Sequence, residues 1–243
     1  MIKQDCVNSF IDIGNSSTVV VDAINLNILS KISTQKLFND ISLLKVNHFN
    51  KCLISSVVPS LNKLILNNYL HVSFINYQNI PFTSIDLAEP KEIGVDRLLS
   101  AYAAWKITKK AVLVVDAGSA ITFCMVSSNG VYLGGAIVPG LGTSSKALND
   151  YTEKIPCITV KKPESLIGKN TKQAVQSGLY HGFECLINGM ISKYKKQSSE
   201  PVAVIATGES LEIFNNSLAI DTYDEKLLFK GMALLQNNNA TKF

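Results

Sequence analysis

The pattern Asp-x-Gly-x-x-x-Thr occurs twice in this chain, as Asp12-Ile13-Gly14-Asn15-Ser16-Ser17-Thr18 and as Asp116-Ala117-Gly118-Ser119-Ala120-Ile121-Thr122. Glycine lets a tight turn bring its backbone amides close to an anion. The hydroxyls add donors, and the carboxylate can hold a hydrated cation. These are the groups that a polyphosphate and its metal require, so the pair points to phosphoryl transfer. Taken singly, either segment is ordinary hairpin chemistry. Repeated roughly a hundred residues apart, they indicate a duplicated domain with a ligand cleft between the halves.

Each copy follows an apolar run and leads into another, Phe10-Ile11 and Val19-Val20-Val21 around the first, Val112 to Val115 and Phe123 to Val126 around the second. Each therefore reads as a strand, a polar turn and a return strand. Residues 6–30 read as three short strands, with breaks at Asp22-Ala23 and Asn25, and 34–45 is weakly helical. Lys51 to Val58 is a strand, Pro59 opens a helix to Asn68, and Val72 to Ile75 is a further strand. Asn76 to Glu92, with Pro81 and Pro90, is a connecting loop. From Gly94 to Thr108 the positions Leu98, Leu99, Tyr102, Ala103 and Trp105 share a helix face. The second half repeats the programme. It has three strands over 111–138 with a hairpin turn at Asn129-Gly130, and a sharp loop through Gly134-Gly135 and Pro139-Gly140. A helix to Leu148, a polar loop from Asp150 to Lys169 and a long helix from Asn170-Thr171 to Lys195 follow. A buried strand at 202–207 ends in Thr207-Gly208-Glu209, and a last helix spans Glu225 to Leu235 before a frayed tail, Asn237 to Phe243. This order predicts an α/β fold of two duplicated ribonuclease-H-like halves, the layout of actin, Hsp70 and sugar kinases, with an interdomain cleft. The first half is 1–93 with one hairpin; the second is 94–243 with the linking helix and the other hairpin.

At 47% hydrophobic and 17% charged over 243 residues, the composition is that of a packed globular protein. No apolar run approaches the roughly 20 residues that a membrane helix needs. Met1 to Asp5 open directly into the first strand, which argues against a signal peptide. Cys6, Cys52, Cys124, Cys157 and Cys185 are scattered, without a C-x-x-C pair, and read as buried free thiols in a reducing cytoplasm. The net charge of +4 is mild, and Lys109-Lys110, Lys161-Lys162 and Lys195-Lys196 are separate pairs, so solvated surface is expected rather than nucleic-acid binding. His48, His71 and His181 lack partners at ligand spacing, which argues against zinc.

Six segments carry a family resemblance: DIGNSS at 12–17, GVDR at 94–97, DAGSAIT at 116–122, GGAIVPG at 134–140, NTKQAVQSG at 170–178 and TGE at 207–209. In this order they resemble the type III pantothenate kinases, dimeric enzymes that make 4′-phosphopantothenate for coenzyme A synthesis. The resemblance implies that Asp12, Ile13, Gly14, Asn15, Ser16, Ser17, Thr18 and Val19 form the ATP-phosphate turn, Asp12 holding Mg2+ through water. It implies that Asp96 is the general base that takes the pantothenate hydroxyl proton, and that Gly94, Val95, Asp96 and Arg97 bind the substrate. Arg97 can pair with the pantothenate carboxylate as a fork. Asp116 matches a ligand of a monovalent cation, K+ or NH4+, Ser119 an ATP contact and Thr171 a pantothenate contact. The implied partners are pantothenate, ATP and a second copy of the chain, in the cytoplasm, with no nucleic acid and no membrane.

Plainer readings stand beside these. Asp96 precedes a helix and could be an N-cap, Thr171 could cap the long helix, and the second hairpin could be a structural echo of the first. Other small kinases or polyphosphate hydrolases of the superfamily share the paired turns, and a nucleotide-binding regulator would bind ATP without turnover. The chain also departs from the family pattern. Ser16 and Ser119 stand where threonine is common, Glu209 stands where a second glycine is usual, and Leu87 lies near the place of a missing pocket tyrosine.

Overall fold

Both motifs fold as strand, tight turn and return strand, and each opens a sheet of the same connectivity. The computed structural model describes residues 7–45, 51–214 and 216–237. The chain divides into two units, residues 1–106 with 226–243, and residues 107–225.

In the first unit β1 (Ser9–Ile13), β2 (Ser17–Asp22) and β3 (Ile28–Ser33) form an antiparallel meander. The chain then passes through α1 (Thr34–Asn39) and a 3-10 turn, Ile41–Leu44. It returns as β4 (Cys52–Ser56), parallel to β1, and after α2 (Pro59–Asn68) adds β5 (Val72–Phe74), parallel to β4. The sheet order is β3-β2-β1-β4-β5. The expected breaks fall at the turn after β2, where Asp22 Oδ1 accepts the N–H groups of Ile24 and Asn25. Helix α2 has the expected bounds because Pro59 fits the first helical position, where its missing N–H has no intrahelical partner to lose. The stretch from 76 to 92, expected as loop, contains 3-10 turns at Tyr77–Asn79 and Pro90–Glu92 and a two-residue strand, β6 (Ser84–Ile85). Ile11, Ile13, Val20, Leu37, Ile54, Leu61 and Ile65 fill one core of this unit. Helix α3 (Val95–Thr108) buries Leu98, Leu99, Tyr102 and Ala103.

In the second unit β7 (Ala111–Ala117), β8 (Ala120–Val126) and β9 (Val131–Pro139) repeat the meander, with Gly130 at φ +77° in the turn expected at Asn129-Gly130. After α4 (Leu141–Asp150) and α5 (Thr171–Gln197), β10 (Val202–Thr207) lies parallel to β7, and β11 (Thr222–Tyr223) parallel to β10. These strands follow the order β9-β8-β7-β10-β11. Numbered within their own units, the two sheets thus share the order 3-2-1-4-5 with the same strand directions, the ribonuclease-H-like arrangement. Residues Ala111 to Val115 of β7 are all buried, as expected of a strand covered on both faces. Tyr180, Phe183, Ile187 and Ile191 recur at helical spacing on α5 and pack into this unit's core with Phe123, Val204 and Phe214.

The last helix, α6, spans Leu227–Asn237, and its Gly231 lies so close to α3 that a Cβ there would sit 2.3 Å from the Leu99 carbonyl oxygen. The helix expected to lead into the second half, and the one expected to end it, thus both pack with the first unit. Cys52 and Cys124 are buried, as expected, but Cys157 and Cys185 are exposed. Cys157 falls in the polar loop after α4, and Cys185 faces outward on α5, midway between Phe183 and Ile187 of the buried stripe. Cys6, His48 and the tail beyond 237 lie outside the described residues. Among the described residues no helix is long and apolar enough to cross a membrane, and no cluster of His, Cys, Asp and Glu could hold a metal ion.

Candidate active site

β1 and β4 run parallel and end together, Asp12 opposite Ser55 and Ile13 opposite Ser56. The carboxyl ends of parallel strands are where α/β sheets bind ligands. Side chains alternate along a strand, so Ile11 and Ile13 enter the core while Asp12 stays half-buried on the other face. Its Oδ1 accepts a hydrogen bond from the fully buried Ser55 hydroxyl at 2.9 Å.

The turn after β1 closes with the Gly14 N–H donating to the Ser17 carbonyl at 3.0 Å. Thr34 fastens it from the core side. The Thr34 hydroxyl donates to the Gly14 carbonyl at 2.7 Å, and its N–H donates to the Ser16 carbonyl at 3.1 Å. The hydroxyls of Thr18 and Thr34 lie 3.2 Å apart in the interior. Thr18 and Ile13, both fully buried, therefore brace the turn with their side chains. Asn15 and Ser16 are exposed at the tip, with Ser17 and Val19 half-buried.

Gly94 precedes α3, and the Leu98 N–H bonds its carbonyl at 3.4 Å. The helix begins at Val95, so Asp96 lies in the first turn rather than at the cap. Its Oδ1 accepts the Arg97 N–H at 2.8 Å. The carboxylate folds back over Gly94, where a Cβ would sit 2.4 Å from Asp96 Oδ1 and 3.4 Å from Val57 Cγ1. Val57 in turn donates its N–H to the Ile13 carbonyl at 3.1 Å. Through Val57, the segment Gly94-Val95-Asp96-Arg97 is brought to the same strand ends as the first hairpin. Burial raises the Asp96 carboxyl above the ordinary carboxylate range, while the Arg97 N–H and guanidinium pull it down. The result is a carboxylate with an increased appetite for a proton, its Oδ1 held by the Arg97 N–H and its charge further favoured by its own backbone N–H.

In the second unit Asp116 is half-buried near the end of β7, opposite Thr207 of the parallel β10. The Asp12–Ser55 pairing thus recurs as an acid opposite a hydroxyl residue. The turn Gly118-Ser119 is exposed and closes with Gly118 N–H to the Ala120 carbonyl at 2.9 Å. The start of α4 presses onto it: Gly140 N–H and the Thr143 hydroxyl both donate to the Ser119 carbonyl, at 2.9 and 2.6 Å. A Cβ on Gly140 would sit 2.2 Å from the Gly118 carbonyl oxygen, so this contact requires glycine. Gly208, at φ +94°, lies equally close to Ala117. Burial, then Glu212, Glu225, Glu209 and Asp116 in that order, raise the Tyr223 hydroxyl, which marks a negative field at this end of the unit. Such a field favours a cation and opposes a phosphate.

Thr171 is the first residue of α5 and is exposed; the cap is Asn170, whose side chain accepts the Gln173 N–H at 2.9 Å. Thr171 lines a cavity of about 600 Å³, walled by Leu148, Ile155, Val175 and Leu179. Lys169 and Asn170 line it beside Thr171, and an apolar wall with one polar side suits a small, partly polar ligand. Sequence reasoning missed Ser55 and Thr34. The only signal for Ser55 was the serine pair interrupting the apolar run at 51–58.

Three comparisons bear on this arrangement. The model of the type III pantothenate kinase family matches residues 10–193. The type III pantothenate kinase of Phenylobacterium zucineum is 35% identical over 205 residues, covering 82% of this chain and 80% of that protein. That of Geobacillus thermodenitrificans is 32% identical over 254 aligned positions, covering 96% and 98%. Among solved structures, a conserved Campylobacter jejuni protein placed in the Baf family of transcriptional activators superposes with a TM-score of 0.67 at 23% identity, over 95% of this chain and 98% of that one, a likeness of fold. With a family model spanning most of its length and relatives above 30% identity over more than three quarters of it, this chain belongs to the type III pantothenate kinase family.

Proposed function

We propose that this chain transfers the γ-phosphoryl group of ATP to the hydroxyl of pantothenate, giving 4′-phosphopantothenate and ADP, the first step of coenzyme A biosynthesis. Family membership supports the reaction class. The single observation that carries the reading at the level of residues is Asp96, held at the start of α3 with Oδ1 tied to the Arg97 N–H and its carboxyl raised by burial. A base whose affinity for a proton is raised toward the working pH is a better acceptor in the transition state. In the proposed step Asp96 takes the hydroxyl proton as that oxygen bonds to phosphorus, and the bond from phosphorus to the β,γ-bridging oxygen breaks. Arg97 pairs with the pantothenate carboxylate, beside the Gly94-Val95 backbone, and Thr171 supplies a further substrate contact.

The first hairpin, Asp12 to Val19, is assigned to the ATP phosphates, and Ser119 to a further ATP contact. Its oxygen groups are the half-buried Asp12 carboxylate and the hydroxyls of the exposed Ser16 and half-buried Ser17, a hard oxygen set that suits Mg2+ with part of its water shell. When bound, Mg2+ neutralises phosphate charge. Asp116 is assigned to a monovalent cation, K+ or NH4+, supported by the negative field around Tyr223. A cytoplasmic homodimer is the expected state.

The test is mass-spectrometric detection of phosphopantothenate from pantothenate, ATP and Mg2+, with K+, NH4+ or Na+ titrated at constant ionic strength. Product should form, fastest with K+ or NH4+. No phosphopantothenate in any salt refutes the kinase reading; equal rates in all three refute only the monovalent site.

A further inference from the structure

Ser55 lies next to the candidate phosphate turn, yet none of the family motifs includes it. It is fully buried on β4, in register with Asp12, and donates its hydroxyl to Asp12 Oδ1 at 2.9 Å. The neighbouring Ser56 hydroxyl turns the other way, to Asn62 Oδ1 at 2.5 Å, so the two serines are not equivalent. A buried donor on the adjacent strand restricts the rotamer of Asp12 and the plane of its carboxylate. β1 and β4 are rigid elements of one sheet, so the donor cannot drift. The second unit sets Thr207 opposite Asp116 in the same register.

We infer that Ser55 is a positioning residue that orients the Asp12 carboxylate toward the nucleotide-bound divalent cation. The inference rests on the reading that Asp12 serves Mg2+-ATP. Ser55 acts through Asp12, holding its Oδ1 and so fixing the plane of the carboxylate. Groups that orient a metal-side ligand typically matter by about 10- to 100-fold in metal affinity or activity.

The experiment is calorimetric titration of the full-length protein with a non-hydrolysable ATP analogue, with and without Mg2+, for the unmodified chain, Ser55→Ala, Ser55→Cys and the neighbouring Ser56→Ala. Ser55→Ala should weaken Mg2+-dependent analogue binding by about 10- to 100-fold. Affinity in the absence of Mg2+ should change less than about twofold, and Ser55→Cys, of similar size with a weaker donor, should fall between. Ser56→Ala should bind as the unmodified chain does. If Ser55→Ala does not fold, as judged by circular dichroism, Ser55→Cys alone carries the test. Equal losses with and without Mg2+, or Mg2+-dependent affinity within twofold of the unmodified chain, overturn the positioning role. Failure of the unmodified chain to bind the analogue in either condition overturns the kinase reading instead.

Discussion

Adding one methyl group at Gly94 should disable the enzyme without unfolding it. Gly94 has no positive φ, so alanine meets no backbone strain there. The obstacle is steric. The new Cβ would lie 2.4 Å from Asp96 Oδ1, and Cβ atoms essentially never come closer than 3.0 Å to a neighbour. The carboxylate, as the end of a flexible side chain, must therefore move by about 0.6 Å or more, breaking or bending its bond to the Arg97 N–H. Misplacing a reacting group by about 1 Å can cost about 10²-fold, so Gly94→Ala should lower kcat by roughly 10- to 100-fold. Stability should stay nearly level. The forced side-chain shift costs about 0.5–1.5 kcal/mol, and the stiffer unfolded chain returns about 0.4–1 kcal/mol. The assay is steady-state turnover at saturating ATP, with thermal unfolding and nucleotide titration on the same preparation. Because Gly94 would act through Asp96, Gly94→Ala combined with Asp96→Asn should be no slower than Asp96→Asn alone. A kcat within twofold of the unmodified chain, or a double variant whose losses multiply, refutes the reasoning.

Asp96→Asn should lower kcat by about 10² to 10⁴. Since the folded chain holds the Asp96 proton more tightly than the unfolded chain, the ionised carboxylate destabilises the fold at neutral pH, and that penalty fades as pH falls through the raised pKa toward the ordinary 3.8. Asn should therefore give an equal or higher Tm at pH 7, with the gap closing in acid; a Tm lower at pH 7 than at pH 4, relative to the unmodified chain, contradicts this. Gly208→Ala should destabilise by roughly 1–3 kcal/mol in chemical denaturation, because it adds a side chain at φ +94° and a Cβ 2.5 Å from the Ala117 carbonyl oxygen. Iodoacetamide at pH 8, followed by peptide mass mapping, should label Cys157 and Cys185 in the folded protein and spare Cys52, whose thiol burial pushes up to about 12. Early labelling of Cys52 would count against the packing around β4.

The hairpins were legible in the sequence because glycine, hydroxyls and a carboxylate between apolar runs leave few alternatives to a polar turn. Helix α2 was legible to the residue because proline marks its start. The bounds of β3 and α6 were each displaced by a few residues, since exposed strand ends and helix starts carry little pattern. β11 and the 3-10 turn Glu209–Phe214 escaped notice, because a two-residue strand and a single tight turn have no periodicity to read. The position of Asp96 within the first turn depends on where Gly94 starts the helix, a matter of one residue. The pairing of Asp12 with Ser55 was illegible in principle. It depends on the register of two parallel strands more than forty residues apart, and register is fixed by the sheet, not by either segment alone.

The fastening of the first turn by Thr34 has a consequence for ligand discrimination. Three of its carbonyl oxygens, on Gly14, Ser16 and Ser17, already accept bonds from within the protein. A peptide loop ordinarily presents donors and acceptors in equal measure and tells anions from cations poorly. With these acceptors turned inward, two of them by Thr34, the tip is left biased toward donors, and the threonine beneath the loop does most to set its sign. That bias favours the phosphate chain proposed for this turn over amines or bare metal ions, for which the acceptor on offer is the Asp12 carboxylate at its base.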